Sequence, residues 1–515
     1  MASPADPDPL VLDGASLTLE DLESVARTRR AVALSAAARE AVARSRRVVD
    51  EAVARGAVIY GVTTGFGNFA DVVIPPARLK ELQLNLVRSH AAGVGEPLDE
   101  AETRGLMVLR ANCLAKGFGG IRPETLDLLI AMINRRVHPV VPSQGSVGAS
   151  GDLAPLAHLA LALVGEGACA TERGVVTGAV ALKAVGLVPA ELQAKEGLAL
   201  INGTQLMSAA TGLALVEALR LARAADVIAA MTTDTLKGTD VAFDPRIHAA
   251  RPHAGQAASA RNLRKLLAGS AIRESHRDCG KVQDAYSLRC VPQVHGAVRD
   301  ALGFARRTVE IEINAGTDNP MVFAETGELL SGGNFHGAPV ALAADIVAIA
   351  VAELGAISER RIERLVNPML SGLPAFLARE GGVHSGLMLA HVTAAALASE
   401  NKTLAHPASV DSIPTSANKE DHVSMGVTAA RKAVRAVANA RRILAIELMA
   451  ACQALEFLRP LRSSAALEAA HGLVRQRVAP WDRDRSPSPD IEALAELVRA
   501  GAVADAAASV CGTLE

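Results

Sequence analysis

Residues 149–151 read Ala-Ser-Gly, a tripeptide that can build an electrophile from its own backbone. If the Gly151 nitrogen attacks the Ala149 carbonyl carbon and water leaves, a five-membered imidazolone ring forms. Loss of the Ser150 hydroxyl as a second water leaves an exocyclic methylene, a strong electrophile that no ordinary side chain supplies. Glycine suits the third position because, without a Cβ, its nitrogen can approach the carbonyl through a sharp turn.

The neighbouring sequence places this tripeptide at the start of a helix. Gly145 and Gly148 loosen the preceding loop, Asp152 before an apolar run is typical of an N-cap, and Pro155 still falls in the first turn. The exposed amides and dipole of a helix N-terminus favour developing negative charge. Most Ala-Ser-Gly sequences are simply loops before helices, however. Other residues of the chain must therefore show whether this one forms an electrophile.

Composition favours a large helical protein. The chain has 515 residues, of which 50% are hydrophobic but only 2% aromatic. Alanine, leucine and valine supply the apolar surface, which favours long packed helices over a β-sandwich. The formal net charge of −2 gives no electrostatic case for binding nucleic acid or an acidic membrane.

Several other classes lack their signatures. The 13 histidines include no H-E-x-x-H, and we expect no metal site. None of the six cysteines forms a C-x-x-C, so we expect a cytoplasmic protein. Residues 1–14 contain no apolar run typical of a secretory signal. The most apolar long stretch, residues 340–357, contains Asp345 and Glu353 and fits a buried helix better than a membrane span.

The periodicity predicts a mainly α fold, with a long central helical bundle, a smaller mixed N-terminal part and minor β-hairpins. Apolar stripes predict long helices over residues 340–366 and 425–458. Hairpins are expected at residues 169–181 and 321–331. We expect one continuous catalytic unit, with residues 1–110 as the mixed part carrying the Tyr60 loop and His90, and residues 111–515 as the bundle carrying the electrophile and the substrate-binding residues.

Polar islands are scattered between the predicted helices. Taken singly, each has an ordinary structural interpretation, such as a packing tyrosine, a core histidine, a turn asparagine or a helix N-terminal glutamate. In the segment Gln-Asp-Ala-Tyr-Ser-Leu-Arg, Tyr286 and Arg289 are three residues apart and so share one face of a helical turn. The residues that stand out are Tyr60, His90, Asn202, Gln283, Tyr286, Arg289, Phe335 and Glu420.

Taken in order, these islands resemble the motifs of the aromatic amino acid ammonia-lyase family, from about Leu10 to the last helix. The family forms a 4-methylidene-imidazol-5-one (MIO) from an Ala-Ser-Gly like Ala149-Ser150-Gly151 and needs no external cofactor. The matching segments are the tyrosine before T-G-F-G, I-N-G-T, Q-D-A-Y-x-x-R, G-N-F-H-G and E-D-H-V-S-M. They assign family roles to Tyr60, Asn202, Gln283, Tyr286, Arg289, Phe335 and Glu420.

The resemblance implies an elimination of ammonia in which the substrate amine, or alternatively its ring, adds to the electrophile. Tyr60 is then the expected base for the β-proton, Arg289 holds the substrate carboxylate with its planar fork, and Phe335 forms an apolar wall. Asn202 and Tyr286 can hold the electrophile's oxygen or the substrate amine. The Tyr60 loop is a candidate lid.

The polar pair His90 and Glu420 favours L-histidine as substrate and trans-urocanate as product, because a carboxylate can orient an imidazole but has nothing to pair with on a benzene ring. Phenylalanine-specific relatives resemble Phe-Leu where this chain has Ser89-His90. Tyrosine-specific relatives also place a histidine there, so His90 alone does not exclude tyrosine. Lys419 departs from the neutral residue expected before Glu420, and we expect it to face solvent.

Alternatives remain at this point. One is an ammonia-lyase or aminomutase of the same family acting on tyrosine or phenylalanine. A second is a catalytically silent assembly protein of the same fold, and a third is a phosphate-binding module using the glycines of residues 145–151, which lacks the expected lysine. The resemblance also implies a homotetramer whose active sites combine several subunits, acting on a small-molecule amino acid without nucleic acid or membrane.

Overall fold

The structure, a computed structural model, describes residues 8–172 and 174–515 and is dominated by helices. In the first part of the chain the helices are α1 (Leu19–Arg27), α2 (Ala36–Ala54), α3 (Leu79–His90), α4 (Glu100–Ala115), α5 (Pro123–Asn134), α6 (Leu153–Leu163), α7 (Gly178–Ala184), α8 (Glu196–Ile201) and α9 (Gln205–Thr235). The next are α10 (Pro245–Ala249), α11 (Ala254–Leu267), α12 (Ala271–Glu274), α13 (Tyr286–Arg289), α14 (Val291–Glu312) and α15 (Ala338–Val366). The last are α16 (Pro368–Ser371), α17 (Met388–Leu404), α18 (Gly426–Leu458), α19 (Ala465–Arg475), α20 (Ser488–Arg499) and α21 (Ala502–Cys511).

The strands are short and form small sheets. They are β1 (Leu10–Leu12), β2 (Val32–Leu34), β3 (Val94–Pro97), β4 (His138–Pro139), β5 (Pro142–Gln144), β6 (Ala168–Thr171), β7 (Gly174–Thr177), β8 (Met321–Phe323) and β9 (Glu328–Leu330). β1 and β2 pair in parallel, β3 pairs with β5, β4–β6–β7 form an antiparallel sheet, and β8 pairs with β9. The mainly α fold class with minor hairpins is confirmed.

Local sequence signals account for the early helices. The Thr18 hydroxyl accepts a bond from the Asp21 amide and the Asp21 carboxylate accepts one from the Thr18 amide, which completes a capping box for α1. Ser35 caps α2 in the same way by accepting from the Ala38 amide. These caps satisfy amides that a helix leaves without intrahelical partners.

Backbone contacts divide the chain into two compact units. The first comprises the described residues up to Leu213, with Arg306–Asp345 and Pro407–Arg431. The second comprises Ala214–Ala305, Ile346–His406 and Lys432–Glu515. Within the second unit, the completely buried Arg361 donates two hydrogen bonds, of 2.6 and 2.8 Å, to Glu447, whose carboxylate also accepts from Thr232 and Ser358. This ion pair satisfies its own charges within the core.

The structure refines several local details. Glu447 of α18 is buried, because Arg361 pairs with it. Residues 57–60, whose sequence fits a short strand or an extended turn, form an irregular segment that leads into a turn. The hairpin predicted over residues 169–181 ends at Thr177, because α7 begins at Gly178. Residues 480–487 lead into α20, which begins at Ser488 and is followed by α21. Residues 1–7 and Arg173, which falls within the first predicted hairpin, lie outside the described residues.

Helix α15 is the one helix, within the described part of the chain, that is long and apolar enough to cross a membrane. Its most apolar window is 67% buried inside the protein. A core helix passes the same test of length and composition, and α15 fits the buried helix expected for this stretch.

Candidate active site

A cavity of about 760 Å³ lies within the first unit, and many of the predicted site residues line it. Tyr60, His90, Ser150, Asn202 and Glu420 all line it. These five residues are far apart in the sequence, so the cavity exists only because the fold brings their loops and helix ends together. The other lining residues are Gly65, Phe66, Gly67, Asn68, Phe69, Val72, Ile74, Leu82, Asn85, Leu86, Ser89, Leu153, Leu198, Ile201, Ser416 and Ala417.

The Ala-Ser-Gly loop is held against the segment that follows α8. Gly151 forms a parallel bridge with Gly203, and the Asp152 amide donates a 2.6 Å hydrogen bond to the Gly203 carbonyl oxygen. Gly151 has a φ of +71°, in the left-handed region that favours glycine. A Cβ on Gly151 would lie 2.2 Å from the Gly203 carbonyl oxygen, so this close backbone approach requires glycine.

Asp152 directly follows the tripeptide and is completely buried. It occupies the N-cap position of α6, as predicted, but its side chain makes no capping bond to that helix. Instead Oδ2 accepts a 2.9 Å bond from the Met207 amide in the first turn of α9, and Oδ1 accepts from the Ser146 hydroxyl at 3.2 Å. Burial raises the pKa of this carboxyl to about 7.

Asn202 is fixed at the C-terminal end of α8 by a buried arginine. Arg110 is 0% exposed and donates to the Asn202 carbonyl oxygen at 2.8 Å, and also to the Ala199 carbonyl oxygen and Gln205. The side-chain nitrogen Nδ2 of Asn202 donates to the Asn319 carbonyl oxygen at 3.5 Å, whereas the side-chain oxygen Oδ1 is buried without a hydrogen-bond partner in the chain. A buried acceptor without a donor is costly, which is expected of a group aimed at a ligand or reacting atom.

Tyr60 is half-buried at the cavity wall. Its hydroxyl oxygen accepts a 3.2 Å hydrogen bond from the Gly67 amide, and its ring packs edge-on against Phe66 at 6.5 Å between centroids. The Gly67 amide therefore fixes the position of the phenolic oxygen at the cavity wall. The loop of residues 60–67 therefore both carries the tyrosine and holds its oxygen.

His90 is the last residue of α3, and its surroundings determine which ring nitrogen carries the hydrogen. Nδ1 lies 2.9 Å from the Leu86 carbonyl oxygen, which can only accept, so Nδ1 carries the hydrogen and Nε2 is left as an acceptor. Burial lowers the pKa of His90, although the Leu86 carbonyl and Glu420 oppose that shift. The neutral imidazole is therefore the form favoured in the fold.

Glu420 reaches the cavity from a tight turn. Its Oε1 lies 3.5 Å from the Ser150 hydroxyl, and its Oε2 accepts 2.7 Å bonds from the hydroxyls of Thr415 and Ser416. Lys419, the residue that departs from the expected pattern, is exposed, as predicted. Thr415 and Ser416 were not predicted as site residues, although two hydroxyl side chains a few residues before Glu420 are a signal that the sequence carries.

The remaining predicted residues are placed elsewhere. Phe335 is half-buried in a turn of the first unit and does not line this cavity. Gln283, Tyr286 and Arg289 belong to the second unit, where Tyr286 and Arg289 share helix α13 as predicted. The Arg289 guanidinium lies 4.6 Å from the Tyr286 ring centroid, and Tyr286 is 71% exposed.

Comparison with known proteins places the chain in a family. The family model for aromatic amino acid lyase matches residues 17–476.

The chain belongs to the aromatic amino acid lyase family.

Among its relatives, the histidine ammonia-lyase of Koribacter versatilis is 55% identical over 511 residues, covering 97% of this chain and 99% of the relative. Two solved members of the aromatic amino acid lyase fold are also similar. Histidine ammonia-lyase from Trypanosoma cruzi superimposes with a TM-score of 0.91 at 47% identity, covering 97% of this chain and 95% of that one. Tyrosine aminomutase from Streptomyces globisporus superimposes with a TM-score of 0.92 at 40% identity, covering 97% and 98%.

Proposed function

We propose that this protein is a carbon–nitrogen lyase that eliminates ammonia from L-histidine to give trans-urocanate, a step of histidine degradation. The observation that carries the choice of substrate is the presence of His90 and Glu420 in the same cavity as Ser150. High identity to relatives named histidine ammonia-lyase over nearly the whole chain supports the same activity.

We further propose that Ala149, Ser150 and Gly151 condense to a 4-methylidene-imidazol-5-one. The residues fit such a ring: Gly151 adopts a conformation and a close approach that only glycine allows, and the buried Asn202 Oδ1 has no partner in the chain. The ring supplies an electrophile that takes up electron density from the substrate. No external cofactor is needed.

Tyr60 is proposed as the base for the β-proton of the substrate. An unperturbed tyrosine has a pKa of about 10 and is a poor base near neutrality. The Gly67 amide, which donates to the Tyr60 oxygen at 3.2 Å, holds that oxygen in place at the wall of the cavity that contains Ser150. The surrounding loop, with its glycines, is suited to closing over the substrate.

We assign substrate binding to the remaining motif residues. Arg289 is proposed to hold the substrate carboxylate, since its guanidinium offers a planar fork of donors. Asn202, Gln283 and Tyr286 are proposed to bind the amine or the electrophile's oxygen, and Phe335 to form an apolar wall. These roles follow from the motif positions in the aromatic amino acid lyase family.

Two hydrogen-bond acceptors in the cavity suit the imidazole ring of a histidine substrate. The Nε2 of neutral His90 and the Oε1 of Glu420 both accept hydrogen bonds, and the imidazole of histidine carries an N–H that can be donated. Phenylalanine offers no such donor and would leave the carboxylate without a partner. The cavity therefore favours a substrate with a ring N–H.

We also infer a homotetramer with shared active sites. Large apolar side chains are exposed on the long helices, among them Leu342 and Ile349 of α15 at 51% and 47% and Leu389 and Val392 of α17 at 58% and 54%. Such faces favour association. All six cysteines are free in the structure, and we infer a cytoplasmic location from that usage.

The test is to offer the purified protein histidine, tyrosine and phenylalanine separately and to analyse the products. Faster release of ammonia and urocanate from histidine supports the proposal. Preference for tyrosine, or recovery of a β-amino acid, would favour an aminomutase such as the Streptomyces relative. No turnover, together with the mass of an unmodified chain, would favour a silent assembly protein.

A further inference from the structure

Residues 415–420 form a turn of unusual backbone conformation at the cavity wall. Ser416, Ala417 and Asn418 are consecutive non-glycine residues with φ of +50°, +53° and +66°. Left-handed conformation costs an L-residue roughly 1–2 kcal/mol, so a run of three is expected only where the surroundings enforce it. Ser416 and Ala417 both line the cavity that contains Ser150.

The turn is closed by its two end residues. The Thr415 amide donates to the Glu420 carbonyl oxygen at 3.0 Å, and the Glu420 amide donates back to Thr415 at 3.4 Å. The short helical turn Gly67–Phe69, which follows Tyr60, packs against Ser416–Asn418. The strained segment is therefore held from within and by the loop that carries the proposed base.

The two carboxylate oxygens of Glu420 have different hydrogen-bond partners. Oε2 accepts two hydroxyl bonds, each 2.7 Å long, from Thr415 and Ser416. Oε1 accepts only the long 3.5 Å contact from Ser150. Because Oε2 is held at two points, the plane of the carboxylate is fixed with Oε1 directed toward Ser150.

We propose that Thr415 and Ser416 are positioning residues that set the preference for a substrate with a ring N–H. They act through Glu420: their hydroxyls occupy Oε2 and keep Oε1 free and oriented as the acceptor for the substrate ring. This inference rests on the proposed function and extends it from one carboxylate to the turn that orients it. Without the two hydroxyls, the carboxylate can rotate about its terminal bond and Oε1 loses its fixed direction.

The experiment compares Thr415→Val, Ser416→Ala and the double variant with the parent, using histidine and tyrosine as substrates. A hydrogen bond to a charged group is worth enough that each single variant should lower kcat/KM for histidine about tenfold, and the double variant up to about a hundredfold. The smaller kcat/KM for tyrosine should change less than about threefold. Thr415→Ser keeps the hydroxyl and should restore most of the activity lost in Thr415→Val.

A double-mutant cycle with Glu420→Gln separates positioning from a general structural role. If the hydroxyls act through the carboxylate, adding Thr415→Val to Glu420→Gln should change kcat/KM by less than about threefold. Ser509→Ala removes an exposed hydroxyl of α21 and serves as the matched control, with unchanged kinetics. Intact mass and melting temperature of every variant report on ring formation and folding independently of turnover.

Equal losses with histidine and tyrosine, or effects of Thr415→Val that add fully to those of Glu420→Gln, would overturn the positioning role while leaving histidine as the substrate. A parent enzyme that prefers tyrosine would overturn the proposed function itself. If Thr415→Val fails to fold, Ser416→Ala decides, because Ser416 is exposed and the change removes only its hydroxyl. Unchanged kinetics in a folded Ser416→Ala would then reject the proposal.

Discussion

Gly151 and Gly203 lie so close that the carbonyl oxygen of one takes the place of a side chain on the other. A Cβ on Gly151 would be 2.2 Å from the Gly203 oxygen, and the amide of the next residue, Asp152, donates a 2.6 Å bond to that oxygen. The Ala-Ser-Gly tripeptide is thus clamped along the strand-like segment that carries Asn202. We expect ring formation to depend on this clamp as much as on the tripeptide itself.

Gly203→Ala tests the clamp without touching the tripeptide. A Cβ there would lie 2.5 Å from a guanidinium nitrogen of Arg110 and 2.4 Å from the Gln205 side-chain oxygen, so the segment must shift away from Gly151. We expect a protein that keeps most of the unmodified mass and has low activity. Gly472→Ala is the control, since nothing lies within 4 Å of its Cβ position in α19. Complete ring formation in Gly203→Ala would show that the clamp is dispensable.

Glu420→Ala should change substrate preference rather than activity in general. Loss of a charged hydrogen-bond partner is expected to lower kcat/KM for histidine about ten- to hundredfold, with a smaller effect on phenylalanine and tyrosine. Steady-state kinetics with the three substrates measure this directly. Lys419→Gln, at the exposed neighbouring position, should behave like the parent. A uniform loss across substrates would point instead to disruption of the 415–420 turn.

The pH dependence of turnover should report on His90. Burial lowers the pKa of His90 below its ordinary value of about 6.5, so the neutral ring persists as the pH falls to that value. Below it, the unfolded chain takes up the proton first, which destabilises the fold, and the folded imidazole then loses its Nε2 acceptor. We expect the His90-dependent acid limb of kcat/KM to lie below pH 6.5 and to be absent in His90→Gln. A limb centred above pH 6.5 would contradict the assignment.

Asp152 should make stability depend on pH in the opposite direction. Its pKa is raised by burial to about 7 from an ordinary value of 3.8, so the fold favours the protonated acid. Stability from this group is full below pH 3.8 and is lost as the pH rises through about 7, by up to about 4 kcal/mol. Asp152→Asn cannot ionise and should gain in melting temperature relative to the parent between pH 5 and pH 8. A difference that is constant over this range would contradict the raised pKa.

Much of this architecture could be predicted from the sequence. The apolar periodicity of residues 340–366 and 425–458 gives α15 and α18 within a residue or two, and β8 and β9 form the hairpin expected at residues 321–331. Helix period and turn chemistry are local properties, so a single sequence carries them. The motif residues Tyr60, His90, Ser150, Asn202 and Glu420 do share one cavity.

What could not be predicted depends on distant partners. Asp152 looks like the cap of α6, but its side chain binds the first turn of α9, because the bridge between Gly151 and Gly203 brings that helix alongside. Glu447 lies off the centre of the apolar stripe of α18, and its burial follows only from its pairing with Arg361 of α15. The left-handed turn of Ser416–Asn418 contains no glycine, so the sequence gives no local signal for it. Its conformation is imposed by contacts rather than by residue propensity.

The most direct test of the account is the intact mass of freshly purified, active protein beside that of Ser150→Ala. The active parent should weigh two waters less than its sequence requires, with the loss mapped to the peptide that contains residues 149–151. Ser150→Ala cannot form the methylidene group and should have almost no activity while remaining folded. An active parent with the full, unmodified mass, or a Ser150→Ala variant as active as the parent, would contradict the account.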